Sequence, residues 1–64
     1  MKVRQYQLAR DLLVEVYWDY HLKLWTAYRL DSRNGQTTDA QYATSEVEAV
    51  YAATKATEVW KADR

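Results

Sequence analysis

Across residues 12–30 the chain reads LLVEVYWDYHLKLWTAYRL, with large apolar side chains recurring at every second position. Even positions supply Leu12, Val14, Val16 and Trp18, then Leu22, Leu24, Thr26, Tyr28 and Leu30. Odd positions supply Leu13, Glu15, Tyr17 and Asp19, then Lys23, Trp25, Ala27, Arg29 and Asp31. Successive side chains of a strand point to opposite faces, so the pattern predicts two strands with the even face turned to the core. The β-branched and aromatic run VEVYW favours the same state.

Paired residues of an antiparallel hairpin share a face, so loop length decides which positions meet. A three-residue loop, Arg33-Asn34-Gly35, pairs Leu30 with Thr38, Tyr28 with Ala40 and Thr26 with Tyr42, keeping even with even. A two-residue Asn34-Gly35 turn would instead set Leu30 against Asp39. The longer loop is the expectation, with Gly35, the only glycine, in the left-handed region where a Cβ would clash. The same rule upstream predicts a loop Asp19-Tyr20-His21, with Trp18 facing Leu22, Val16 facing Leu24, Val14 facing Thr26, and a positive φ at His21.

After residue 44 the period changes to that of a helix, expected over 45–62. Ser45 followed by Glu48 fits a capping box, and Glu46 and Glu48 suit the positive end of the helix dipole. Ala49, Ala53, Ala56 and Trp60 form one stripe, flanked by Val50, Ala52 and Thr57, and this small-residue groove should receive the even sheet face, with Trp60 closing one end. Val47, Tyr51 and Val59 lie off the stripe and should be partly exposed in a monomer. Residues 1–11 read either as an edge strand over 3–8 or as a short helix. A rival single helix over 4–20 would align Tyr6, Ala9, Leu13, Val16, Tyr17 and Tyr20, but the β-branched content favours strand. The expectation is one α+β domain over 1–64: an antiparallel meander over 12–43 of three strands, four if the first segment joins, and a carboxy-terminal helix on one face.

Composition narrows the function. Nine basic and nine acidic side chains among 64 residues cancel, so no global field draws in nucleic acid or an anionic membrane. With no cysteine there is neither disulfide nor thiolate metal chemistry, and no apolar run approaches the roughly 20 residues of a membrane span. A soluble, cytoplasmic chain is expected. Enzyme chemistry finds no support: His21 is the only histidine, Ser32 and Ser45 serve a turn and a cap, Glu15 and Asp19 read as solubilising, and one glycine makes no phosphate loop. Neither cofactor nor metal is expected. Six tyrosines and three tryptophans in a chain without phenylalanine suit recognition as well as a core. In the expected register the odd face sets Tyr17 opposite Lys23, Glu15 opposite Trp25 and Leu13 opposite Ala27, with Arg29 close by. Tyr17, Lys23, Trp25 and Arg29 are therefore the candidate partner-binding residues, being of the types that anchor interfaces.

The order LWTAYRLDSRNGQ then ATSEVEAV, over about residues 22–52, resembles the arm-type DNA-binding domain of phage and transposon tyrosine integrases. That resemblance implies a sheet that reads DNA, with Lys23, Trp25 and Arg29 at the matching positions. Neutral charge and Glu15, Asp31 and Asp39 on the same face oppose phosphate binding. Double-stranded RNA-binding domains share the order of strands and final helix, but carry a lysine cluster where this chain has Ser45, Glu46 and Glu48. The architecture also resembles phage-encoded inhibitors that block host complexes by surface contact. The functional expectation is a small non-catalytic protein-interaction module, binding itself as a homodimer or a larger protein. Nucleic-acid binding through the same sheet face is the alternative, and no membrane partner is expected.

Overall fold

The computed structural model describes residues 2–56 and Trp60. The segment with period two forms strands β2 (Leu12–Asp19) and β3 (Leu24–Asp31), and of the two readings left open for residues 1–11 the edge strand is the one that forms, as β1 (Arg4–Ala9). It pairs antiparallel with β2 from Arg4 opposite Val16 to Ala9 opposite Leu12, so the rival helix over 4–20 does not form. Two short strands, β4 (Gln36–Thr37) and β5 (Gln41–Ala43), pair with the two ends of β3, and helix α1 (Glu46–Lys55) follows. The fold is α+β, an antiparallel sheet in the order β1-β2-β3-β4, with β5 also on β3 and one helix on one face.

The core is small because it is built from small residues. Val14 and Val16 of β2, Ala27 of β3, and Ala49 and Ala53 of α1 are fully buried, with Trp25, Ala43 and Val50 packed around them. The alanine stripe lets the helix axis approach the sheet closely. Ser45 caps the helix, its Oγ accepting from the Glu48 amide at 3.2 Å. The Glu48 carboxylate takes the Thr44 hydroxyl at 3.3 Å rather than the cap amide, so the capping box is half made. The helix stops at Lys55, short of the expected 62, because Ala56 is extended (ψ 151°) and its carbonyl accepts from the Arg29 guanidinium. Residues 57–59, with Val59, and 61–64 lie outside the described residues. Val47 and Tyr51, expected to be partly exposed, are exposed at 77% and 63%.

The hairpin registers differ from expectation, and one physical device explains both. β2 and β3 pair Val14 with Arg29, Val16 with Ala27, Trp18 with Trp25 and Asp19 with Leu24, so the loop is Tyr20-His21-Leu22-Lys23. Its last residue, Lys23, takes the left-handed conformation (φ 56°), and its amide donates to the Asp19 carbonyl at 2.7 Å. The Asp19 carboxylate accepts from the His21 and Leu22 amides at 2.9 and 3.1 Å. The β3–β4 loop repeats the design: Asp31 pairs with Gln36, Gly35 is left-handed (φ 75°), and the Gly35 amide donates to the Asp31 carbonyl at 2.9 Å. An aspartate thus satisfies the loop amides at the start of each turn, and a left-handed residue four positions on closes it.

The consequences differ on the two sides of β3. Beyond β4 the register slips by one at residues 38–40, so Thr26 does face Tyr42 as expected, whereas Leu30 faces Thr37 rather than Thr38. Between β2 and β3 the parity inverts, and the even face of β2 joins the odd face of β3. The helix therefore covers Val14 and Val16 together with Trp25, Ala27 and Arg29, while Thr26, Tyr28 and Leu30 look the other way.

Three outcomes test this account. Left-handed strain of roughly 1–2 kcal/mol at a residue with a Cβ, less the roughly 0.4–1 kcal/mol that glycine adds to unfolded-chain entropy, gives Lys23→Gly a gain of roughly 0.5–1 kcal/mol. Gly35→Ala should lose about 1 kcal/mol, both changes read from urea unfolding midpoints. Arg33 donates to the Asp31 carboxylate from its amide, Nε and Nη2 at 3.0, 3.1 and 2.8 Å, and these bonds hold Asp31 below the ordinary carboxylate range. A depressed carboxylate pKa contributes stability above the unfolded value that is lost as pH falls through the folded one. The wild-type stability should therefore drop more steeply below about pH 4 than that of Arg33→Ala, measured by acid titration of the unfolding midpoint.

Candidate functional site: the sheet face opposite the helix and an aromatic cleft

The inverted register disperses the four residues nominated by the sequence. Tyr17 stays on the face away from the helix, opposite Thr26. Lys23 is spent on the turn, exposed and left-handed. Trp25 points to the helix side, where its ring meets Trp18 edge-on at 5.5 Å. Arg29 is buried, 5% exposed, with its guanidinium on the Ala56 carbonyl and 6.0 Å from the Trp60 ring. A cation at the negative end of a helix is favourable, so Arg29 holds the helix terminus instead of facing outward. The expected arrangement, Tyr17 over Lys23 and Trp25 beside Arg29 on one surface, is not what the chain builds.

The face opposite α1 is apolar in a different way. Leu13 lies beside Leu30, Tyr17, Thr26 and Tyr42 form one cross-strand row, and Leu24 and Tyr28 complete the surface. Tyr42 is 53% exposed and the leucines, Tyr17 and Tyr28 are half-buried. Two carboxylates share this face, Asp19 at the turn end opposite Leu24 and Glu15 at the centre. Glu15 accepts from the Tyr28 hydroxyl at 2.8 Å and from the Gln5 amide group at 2.6 Å, so each carboxylate oxygen has a donor from within the face. Thr26 at the centre is buried, and among the described residues its Oγ1 has no hydrogen-bond partner.

On the helix side, length decides what stays open. Ten helical residues reach about 15 Å, whereas eight-residue strands such as β2 and β3 run about 27 Å. One uncovered end is taken by Trp60 over Arg29. At the other, beyond the helix start, a cleft of about 270 Å³ is lined by Trp18, Trp25, Tyr20, Val16, Lys2 and Arg4. Tyr20 meets Trp18 edge-on at 6.4 Å. Arg4 is tethered to Glu46 at 3.4 Å, and Glu46 also accepts from the Tyr6 hydroxyl at 3.3 Å. Hydrogen bonding with Tyr6 and then the Glu46 charge raise the Arg4 pKa, so its positive charge is fixed. A second groove, about 250 Å³, runs between β1 and α1 and is lined by Tyr6, Glu46, Val47 and Val50.

Sequence reasoning missed the Glu15–Tyr28–Gln5 network, the Trp18–Trp25 cleft and the β1 groove. Each follows from pairings that only the true register supplies. Among the described residues no cluster of three or more His, Asp or Glu side chains is placed to hold a metal ion, and no helix is long and apolar enough to cross a membrane. Comparison with models of known protein families, with curated proteins and with solved structures finds no match for this chain.

Because Arg29 grips the helix end, Arg29→Met should cost roughly 1.5–3 kcal/mol of stability, the range for a hydrogen bond from a charged donor. Lys23→Ala, at an exposed turn position, should cost no more than a few tenths of a kcal/mol beyond the left-handed strain already present. Thermal unfolding of the two variants side by side measures the contrast.

Proposed function

We propose that the protein is a small non-catalytic protein-binding module, and that the sheet face opposite α1 is its recognition surface. The observation that carries this reading is the apolar patch of Leu13, Tyr17, Leu24, Tyr28, Leu30 and Tyr42, in which the one central carboxylate is already satisfied by Tyr28 and Gln5. Such a patch presents tyrosines that bury area at low entropic cost, and its carboxylate needs no donor from a partner. Of the four nominated residues, Tyr17 belongs to this surface. The partner is a second copy of the chain or a larger protein, in the manner of phage-encoded inhibitors that act by surface contact, and a cytoplasmic setting suits a chain without cysteine.

Nucleic-acid binding is the second reading, favoured by Lys2 and Arg4 beside the Trp18 and Trp25 rings, an arrangement on which a base could stack. Salt separates the two, since phosphate contacts make log affinity fall steeply with log salt and an apolar face does not. For the protein-binding reading, Tyr17→Glu and Leu30→Glu should keep the circular dichroism spectrum yet weaken association at least about tenfold, about 1.4 kcal/mol, in sedimentation or partner titration. Association that survives both substitutions unchanged would remove this face from the function.

A further inference from the structure

The sheet has two edges, and they are built differently. The β4–β5 edge is broken into pieces of two and three residues with a register slip between them, which spoils it as a template. The β1 edge is a six-residue strand, every residue of which is exposed, with one irregularity between Gln7 and Ala9. Its far side carries main-chain donors and acceptors along about 20 Å of strand. Beside it lie both grooves: Lys2 and Arg4 rim the aromatic cleft, and Tyr6 lines the apolar one under Val47 and Val50.

Charge selects the occupant. Residues 1–10 contain Lys2, Arg4 and Arg10 and no carboxylate. Two copies paired through β1 would bring these cations together, so the charges oppose self-pairing. An acidic strand would be drawn to the same edge. The nearest acids offset part of this charge without reversing it: Asp11 follows Arg10 in the chain and Glu46 pairs with Arg4, which leaves the edge positive through Lys2. Glu15 is held by the neutral donors Gln5 and Tyr28 on the other face, and Arg4, though paired with Glu46, keeps an exposed guanidinium with donors to spare. Arg4 and Tyr6 share the helix side of β1, two residues apart, as their partners Val16 and Val14 require. A strand added beside them would therefore present an acidic and an apolar side chain two positions apart.

We propose that the β1 edge is a docking site for an extended acidic segment of another protein, which adds to the sheet as a further antiparallel or parallel strand. Main-chain hydrogen bonds supply the affinity, Lys2 and Arg4 select a carboxylate, and the groove of Tyr6, Val47 and Val50 takes an apolar side chain on the same face. This site is separate from the sheet face proposed above and does not depend on it.

The test uses a short peptide of repeating Glu-Thr-Val-Thr and its Lys-Thr-Val-Thr twin, with amide hydrogen exchange and fluorescence titration as readouts. The acidic peptide should slow exchange in β1 and bind at least about tenfold tighter than the basic one, a gap that narrows with salt. The double variant Lys2→Glu with Arg4→Glu should reverse the preference, and the milder Arg4→Gln should reduce it should the double variant fail to fold. Equal binding of both peptides, protection at β4–β5 in place of β1, or a dimer of the chain paired through β1 would overturn the proposal. Tyr17→Glu should leave peptide binding intact, so loss of the sheet-face interaction and loss of this one are told apart.

Discussion

Strand side chains alternate with a period of two, so the number of residues between β2 and β3 decides which half of β3 meets the helix. A four-residue loop places Ala27, Trp25 and Arg29 under α1 beside Val14 and Val16. A loop one residue shorter or longer would put Thr26, Tyr28 and Leu30 there instead, and the alanine groove would have to accept their bulk. The loop is held by Asp19, whose carboxylate and carbonyl together take three loop amides, and the cost is a lysine in the left-handed region. A hydrogen-bonded turn of a few residues thus selects the contents of the core.

The second constraint is the mismatch between a short helix and long strands. A helix that ends at Lys55 leaves both ends of the sheet face to be finished by side chains. Arg29 finishes one, because a buried guanidinium can satisfy a helix carbonyl and sit under an indole ring at the same time. Trp18 and Trp25 finish the other less completely, and the gap they leave is the cleft rimmed by Lys2 and Arg4. The cleft follows from this economy of length.

Much of this was legible in the residues. Alternation found β2 and β3, Ser45 and Glu48 marked the helix start, the alanine spacing identified Ala49 and Ala53 as the helix core, and Gly35 declared its positive φ. The inverted face of β3 was hidden because the first turn has no glycine to announce its left-handed residue. The signal was nonetheless there: Asp19 to Lys23 has the same spacing as Asp31 to Gly35, and an aspartate four residues before a left-handed glycine is a template for finding the other turn. The end of the helix was not legible, since nothing local in KAT differs from the helix before it, and Arg29, which holds Ala56, lies on a distant strand. The candidate site inherited the error in parity, which is why Tyr17 kept its place and Trp25 and Arg29 did not.

The unequal edges of the sheet also bear on assembly. A chain with two complementary open edges can add copies without end, and that is how sheets grow into fibres. Here one edge is interrupted and the other is lined by cations of one sign. Edge-to-edge growth of copies of this chain therefore lacks the second, complementary edge that each copy would have to supply. The asymmetry that leaves the chain one continuous edge to offer thus also works against repeated edge-to-edge growth.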